Sequence, residues 1–249
     1  MYMDQQVTEK GHTSPKMKIS IYDLIDGARE ARGLTVIIDV FRAFSLEAYL
    51  FSHGVEKIYP IGTIEEAFAL KEKNPDFLLI GERGGKKVEG FDFGNSPSAF
   101  NDRKLYGKSA IHTTSAGTQG IDNAVNAEEI LVASFVNAAA TAEYIRERNP
   151  EVVSLVCMGN AGIAPAGEDR LCAEYIRSLL IGEPMADIDV RLLDLRNTDG
   201  KKFFDEKQKE VFPEPDFWMC IRRDIFPFVI KTYREEGRNV NRMLLIDGL

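Results

Sequence analysis

The feature that most restricts the fold is an alternation through the first two thirds of the chain: short apolar runs, each followed by a stretch of helical character. Strand candidates are residues 19–22, 34–39, 55–60, 77–80, 108–113, 130–134 and 152–157. Helix candidates are 45–53, 67–73, 116–126, 138–148 and 168–180. Continuous apolar strands separated by helices belong to sheets covered on both faces, so the expectation is α/β: a layered α/β/α arrangement with a largely parallel or mixed sheet. Thr63-Ile64-Glu65-Glu66 has the form of a capping box ahead of the 67–73 helix, and Asn74-Pro75 ends it. Past Gly182-Glu183-Pro184 the composition turns charged and aromatic, which predicts a helical C-terminal portion over 186–231, with 243–246 as a short edge strand. Residues 1–16 are polar and aperiodic and read as a flexible N-terminal extension, leaving 17–249 as a single domain.

Charge and cysteine usage narrow the function. A formal charge of -8 with no basic stripe disfavours nucleic acid as a partner. No apolar run approaches a bilayer span and no leader pattern opens the chain, so a cytoplasmic protein without membrane contact is expected. Cys157, Cys172 and Cys220 form no metal-binding or disulfide pattern and are expected to be reduced and buried. The histidines lack metal-ligand spacing, and His112 reads as a satisfied core residue. The aromatic residues Phe203, Phe204, Phe212, Phe217 and Trp218 read as core.

In α/β sheets ligands gather where strands end, so polar residues at strand ends carry the most weight. Asp39 closes one run and is followed by Arg42 and Ser45; Glu82 and Arg83 follow another; Thr113 and Thr114 follow a third; 159–169 follow a fourth. The segment 81–97, GERGGKKVEGFDFGNSP, packs six charges and five glycines into seventeen residues, and is expected to be a loop. Carboxylates that could hold magnesium, arginine forks and hydroxyls together suit a small anionic phosphorylated substrate. Each element also has a plainer account: Asp39 or Asp169 as a helix cap, Glu82 with Arg83 as an ion pair, the glycines as a turn.

Four blocks, IIDVFRAFS (37–45), GERGGKKVEGFDFGNSP (81–97), TTSAGT (113–118) and Gly167-Glu168-Asp169 leading into a helix, resemble the ComB family of magnesium-dependent 2-phosphosulfolactate phosphatases. The resemblance implies an α/β enzyme that releases phosphate from 2-phosphosulfolactate, a step of coenzyme M biosynthesis. It implies a site built from Asp39, Arg42 and Ser45; from Glu82, Arg83, Asp92, Asn95 and Ser96; from Thr113, Thr114, Gly117 and Thr118; and from Asp169. On that reading Asp39, Glu82 and Asp169 hold magnesium and Asp92 orients water or ligand. Arg42 and Arg83 clamp the anionic ends, and the hydroxyls, Asn95 and the 113–118 backbone complete the pocket. A covalent phospho-aspartate at Asp39 stays open.

The chain departs from the family pattern at Phe44, where a hydroxyl is usual, at Ala116, where an amide is usual, and at Gln119, where a cation is usual. These departures open two alternatives: a phosphatase redirected to another small phosphorylated organic acid, or a non-catalytic protein that binds a phospho- or sulfo-metabolite. The aromatic C-terminal portion is consistent with a homo-oligomer.

Overall fold

The computed structural model describes residues 17–246. The expected extension 1–16 therefore lies outside the described residues. The N-terminal half runs β1 (Lys18–Asp23), α1 (Leu24–Glu30), β2 (Gly33–Ile38), α2 (Ala43–Ser52), β3 (Lys57–Pro60), α3 (Ile64–Lys73), β4 (Leu78–Arg83), β5 (Lys86–Lys87) and β6 (Ser109–Thr113). It continues with α4 (Gly117–Asn123), β7 (Ala127–Ala133), α5 (Ala138–Arg148), β8 (Val152–Cys157) and α6 (Gly167–Ile181). The remainder holds α7 (Ile188–Asp194), α8 (Glu214–Cys220), β9 (Phe228–Glu235) and β10 (Arg238–Leu245), with 3-10 turns that include Asp199–Phe204.

The strands form one mixed sheet in the order β1-β8-β2-β7-β9-β10-β3-β6-β4-β5. β1, β8, β2 and β7 pair in parallel, as do β3, β6 and β4; the antiparallel β9–β10 hairpin joins the two groups. β2 is buried along its whole length, as a central strand covered on both faces must be. Its side chains divide by the two-residue period: Leu34, Val36 and Ile38 join a cluster with residues of α5 and α6, while Ile37 joins one with residues of α1, α2 and α4. A third cluster, around Leu70, Leu79 and Ile111, lies under α3. The expected α/β/α layering is what forms.

Two sequence expectations fail in the C-terminal part. Residues 228–231 are not helical but begin β9, and 243–246 is not an edge strand but falls largely in β10, near the middle of the sheet. Glu236 and Gly237 both take positive φ, 49° and 79°, which is what a two-residue hairpin turn of matching twist requires. Segment 81–97 also begins as strand rather than loop: Glu82 and Arg83 lie in β4 and pair with β5 across Gly84-Gly85, whose φ values of 59° and 81° demand glycine. Thr63 caps α3 as expected, accepting the Glu66 N–H at 3.2 Å. All three cysteines are unpaired and buried.

Across the β9–β10 hairpin the two parallel groups run in opposite senses. A flat sheet would put the C-terminal ends of β2 and β6 at opposite edges. They meet instead at one cleft, so the sheet curls, and the curl builds the site.

Candidate active site

The cleft has a volume of about 300 Å³. Asp39 follows β2, Glu82 lies in β4, Ser115 and Ala116 follow β6, and 159–161 follow β8. Asn95, Glu168 at the start of α6, and Phe41, Lys202, Gln208 and Phe212 complete the wall.

Asp39 is buried; its Oδ1 accepts the Ala43 N–H at 3.1 Å. Gly117 belongs here by close approach: a side chain on it would meet Asp39 Oδ2 at 3.0 Å and the Ala43 Cβ at 2.9 Å. Burial pushes the Asp39 carboxyl up to about 6, against the pull of the Ala43 N–H, with the Glu82 charge raising it further. Glu82 is fully engaged: Oε1 accepts the Ser115 N–H at 2.7 Å, and Oε2 accepts the Gly85 N–H at 2.6 Å and the Ser115 hydroxyl at 3.2 Å. It ties the β4–β5 turn to the end of β6.

Glu168 and Asp169 are neighbours in the first turn of α6, so their side chains point about 100° apart. Asp169 turns inward, taking the Val40 N–H on Oδ1 and the Gly159 N–H on Oδ2, each at 2.8 Å. It stitches the ends of β2 and β8 together, and burial holds its carboxyl well above the usual range. Glu168 lines the cleft, and its buried Oε2 has no hydrogen-bond partner among the described residues. Burial pushes its carboxyl up to about 7, opposed by the Lys202 ammonium.

That shift has a consequence for stability. An acid whose folded pKa is raised binds more protons folded than unfolded, so its contribution is intact below about pH 4.5 and is lost as pH rises toward 7. Glu168→Gln removes the charging cost and is expected to stabilise the cation-free protein by about 1–3 kcal/mol at pH 8 and by nothing at pH 4. Urea unfolding at the two pH values in chelator reads this directly; equal effects at both would show that Glu168 ionises freely.

Of the remaining expected site residues, several sit behind the cleft rather than in it. Arg42 reaches the wall, but its donors are committed: Nη1 to Asp216 and to the Val211 carbonyl, both at 2.8 Å, and Nη2 to the Gly85 carbonyl at 3.1 Å. It clamps the β4–β5 turn against the C-terminal segment and stacks 4.8 Å from the Phe212 ring. Arg83 turns away, donating to the carbonyls of Glu82 and Gly62 and to Thr113 Oγ1. Ser45 donates to the Val40 carbonyl and Ser96 to Asp216, at 2.9 and 2.8 Å. Thr114 and Thr118 bond each other around the start of α4. Asp92 is placed outside the cleft, accepting from the Leu79 N–H at 2.8 Å and Lys71 at 3.1 Å, because it braces the chain against β4.

Sequence reasoning missed Glu168, Lys202 and Asp216. Glu168 was adjacent to an expected ligand, and only the helical phase separates the two. Lys202 stands on the 3-10 turn Asp199–Phe204, within 5.3 to 5.8 Å of the Phe41, Phe203 and Phe212 rings. Among the described residues it has no ion-pair or hydrogen-bond partner. Of the three departures, Phe44 is fully buried in the core and Gln119 donates to the Gly62 carbonyl at 2.8 Å; Ala116 alone lines the cleft.

The fit to a divalent cation follows from this donor set. Among the described residues no three acidic, histidine or cysteine side chains are gathered into a ready-made cage. Asp169 and Glu82 accept hydrogen bonds on both oxygens, which leaves less of their lone-pair capacity for a cation. Asp39 and Glu168 fit better: both are buried carboxylates on the cleft wall, the Asp39 charge adds to the rise at Glu168, and Glu168 Oε2 lacks any partner among the described residues.

A model of the 2-phosphosulpholactate phosphatase family matches residues 19–235. The chain belongs to this family. A probable 2-phosphosulfolactate phosphatase of Bacillus subtilis (strain 168) is 30% identical over 233 residues, covering 92% of this chain and 100% of the relative. One of Caldicellulosiruptor saccharolyticus is 35% identical over 206 residues, 76% of this chain and 84% of the relative. The 2-phosphosulpholactate phosphatase match spans every strand that borders the cleft, and it stops before β10, whose Asn241 is buried beneath the site. Among the described residues no helix is long and apolar enough to cross a membrane.

Proposed function

We propose that this chain is a magnesium-dependent phosphatase that hydrolyses the phosphate ester of 2-phosphosulfolactate to sulfolactate and phosphate. The observation that carries the reading is the pair Asp39 and Glu168: two buried carboxylates lining one small cleft, the second raised in part by the charge of the first and with an oxygen unpartnered among the described residues. A cleft lined by Asp39, Glu82 and Glu168 repels an anionic ester unless positive charge is added, and Lys202 is the cation on hand whose charge is not already paired. Magnesium is usually held by one or two carboxylates, with substrate oxygens and water completing its shell. Asp39 and Glu168 would hold it here; when bound, it supplies charge that polarises the phosphoryl group and acidifies water.

The chain's own residues set up the rest. Hydrolysis forms a bond from a water oxygen to phosphorus and breaks the bond from phosphorus to the ester oxygen, which leaves with a proton. Lys202 neutralises an anionic end of the substrate, while Phe41 and Phe212 beside it keep water out and strengthen that attraction. Glu82, through Ser115 and Gly85, fixes the two backbone turns that border the cleft. Lys202→Met keeps the apolar stem packed on those rings, and is expected to raise KM about tenfold to a hundredfold with a smaller change in kcat. Steady-state kinetics checks it, and an unchanged KM would remove Lys202 from substrate binding.

The test of the function is phosphate release from 2-phosphosulfolactate, 2-phospholactate and 2-phosphoglycerate, each with magnesium and with chelator. Preference for the sulfonate with magnesium supports the proposal. Better turnover of a carboxylate ester would assign the chain to another phosphorylated acid, and tight binding without release would make it a binding protein.

A further inference from the structure

We infer that Asn95 presents its amide N–H to an anionic oxygen of the bound ligand, and that a buried chain of four side chains behind it, ending in His112, sets that direction. The inference rests on the reading of the cleft as a site for an anionic ester. Asn95 lines the cleft while only 5% exposed. Its Oδ1 lies 3.0 Å from His112 Nε2, and among the described residues nothing accepts from its Nδ2.

The chain behind Asn95 crosses four elements. The Thr232 hydroxyl of β9 donates to Asn241 Oδ1 of β10 at 2.7 Å, so the Asn241 amide nitrogen faces Glu47 Oε2 of α2, also at 2.7 Å. Glu47 Oε1 takes the His112 Nδ1 proton at 2.8 Å. Asn241, Glu47 and His112 are fully buried. An ionised carboxylate can only accept, so Nδ1 carries a proton; Asn95, placed with its oxygen toward Nε2, calls for a proton there as well. In that arrangement His112 donates from both ring nitrogens, to Glu47 and to Asn95, and both Glu47 oxygens are used. Such a pair is costly to bury unless its hydrogen bonds are complete, as these are.

The result is directional. With Nε2 protonated, Asn95 must turn its oxygen inward and its N–H toward the cleft, where it suits a phosphoryl or sulfonate oxygen. With Nε2 unprotonated, the amide would turn over and present a carbonyl that repels the same anion. His112 and Glu47 touch no ligand and act as positioning residues.

Two measurements test this. The first needs no variant: nitrogen-15 spectra of histidine-labelled full-length protein are expected to show both His112 ring nitrogens protonated at neutral pH. An unprotonated Nε2 would overturn the inference. The second uses inorganic phosphate and, separately, methanesulfonate as probes, titrated by calorimetry with magnesium present. Asn95→Ala is expected to weaken phosphate, methanesulfonate or both about tenfold to a hundredfold, and the weakened probe shows which group it holds. Glu47→Gln is expected to weaken the same probe in the native background and to have no further effect beside Asn95→Ala. Additive losses, or an Asn95→Ala protein that binds both probes normally, would overturn the inference. For the ester turned over, Asn95→Ala is expected to raise KM by the same factor and leave kcat within about threefold. Failure of all esters to turn over would sink the proposed function but leave the ring spectrum and the probe affinities standing.

Discussion

Asp39→Asn is expected to lower magnesium-dependent phosphate release roughly a thousandfold while the protein folds normally. Asparagine keeps an oxygen for the Ala43 N–H, so the entry to α2 is preserved. What it removes is the charge, which burial makes expensive and which would hold the proposed cation. The folded state is therefore expected to be as stable as the parent or slightly more so above pH 6, where the parent carries an ionised Asp39. Phosphate release and thermal melting, measured side by side, check both halves. Retained turnover would show that Asp39 only caps α2, the plainer reading of the sequence.

The largest loss of stability is expected at a residue that touches no substrate. Asp216 is fully buried, and it receives Arg42 on one oxygen and the Ser96 hydroxyl and Ser98 N–H on the other. Asp216→Ala leaves the buried Arg42 charge without its carboxylate and removes the acceptor of the Ser96 hydroxyl and the Ser98 N–H. Breaking a buried pair from one side costs about 3–5 kcal/mol. Urea unfolding should find that loss, with the β4–β5 turn and the 3-10 turn at 97–100 loosening together. If Arg42 instead serves the substrate as its main task, Asp216→Ala frees it and stability changes by less than about 1 kcal/mol.

These two residues mark what the letters could and could not reveal. Asp39 was legible because it ends a continuous apolar run, and a carboxylate there must either cap the next helix or face a ligand. Asp216 lies in a charged segment with no periodic signal, and its importance comes from chain segments more than a hundred residues apart meeting it. The parallel strands were legible for the same reason as Asp39: β2 and β8 are covered on both faces, so nearly every residue is apolar. β9 and β10 carry long charged side chains three and four residues apart, Lys231 and Arg234, Arg238 and Arg242, a helical spacing that masks the two-residue period of a strand. The positive φ at Glu236 and Gly237 shows that the Glu-Gly pair was the overlooked turn signal.

Side-chain direction was the weakest inference from sequence. Gly167-Glu168-Asp169 pointed to the right turn of helix but not to the residue that faces the cleft. The arginines read as clamps for the substrate are clamps for the protein, because each guanidinium fork finds carbonyls or a carboxylate within the fold. The departures at Phe44 and Gln119, in the core and on the Gly62 carbonyl, lie outside the cleft wall. Ala116 keeps its bearing on specificity because it does line the wall.

The central claim is that Asp39 and Glu168, rather than Glu82 and Asp169, form the cation site. Calorimetric titration of magnesium into the parent protein, Asp39→Asn and Glu168→Gln at pH 8 tests it most directly. The account predicts one saturable site in the parent and affinity at least about tenfold weaker in each variant. Undiminished magnesium binding in both variants would contradict it.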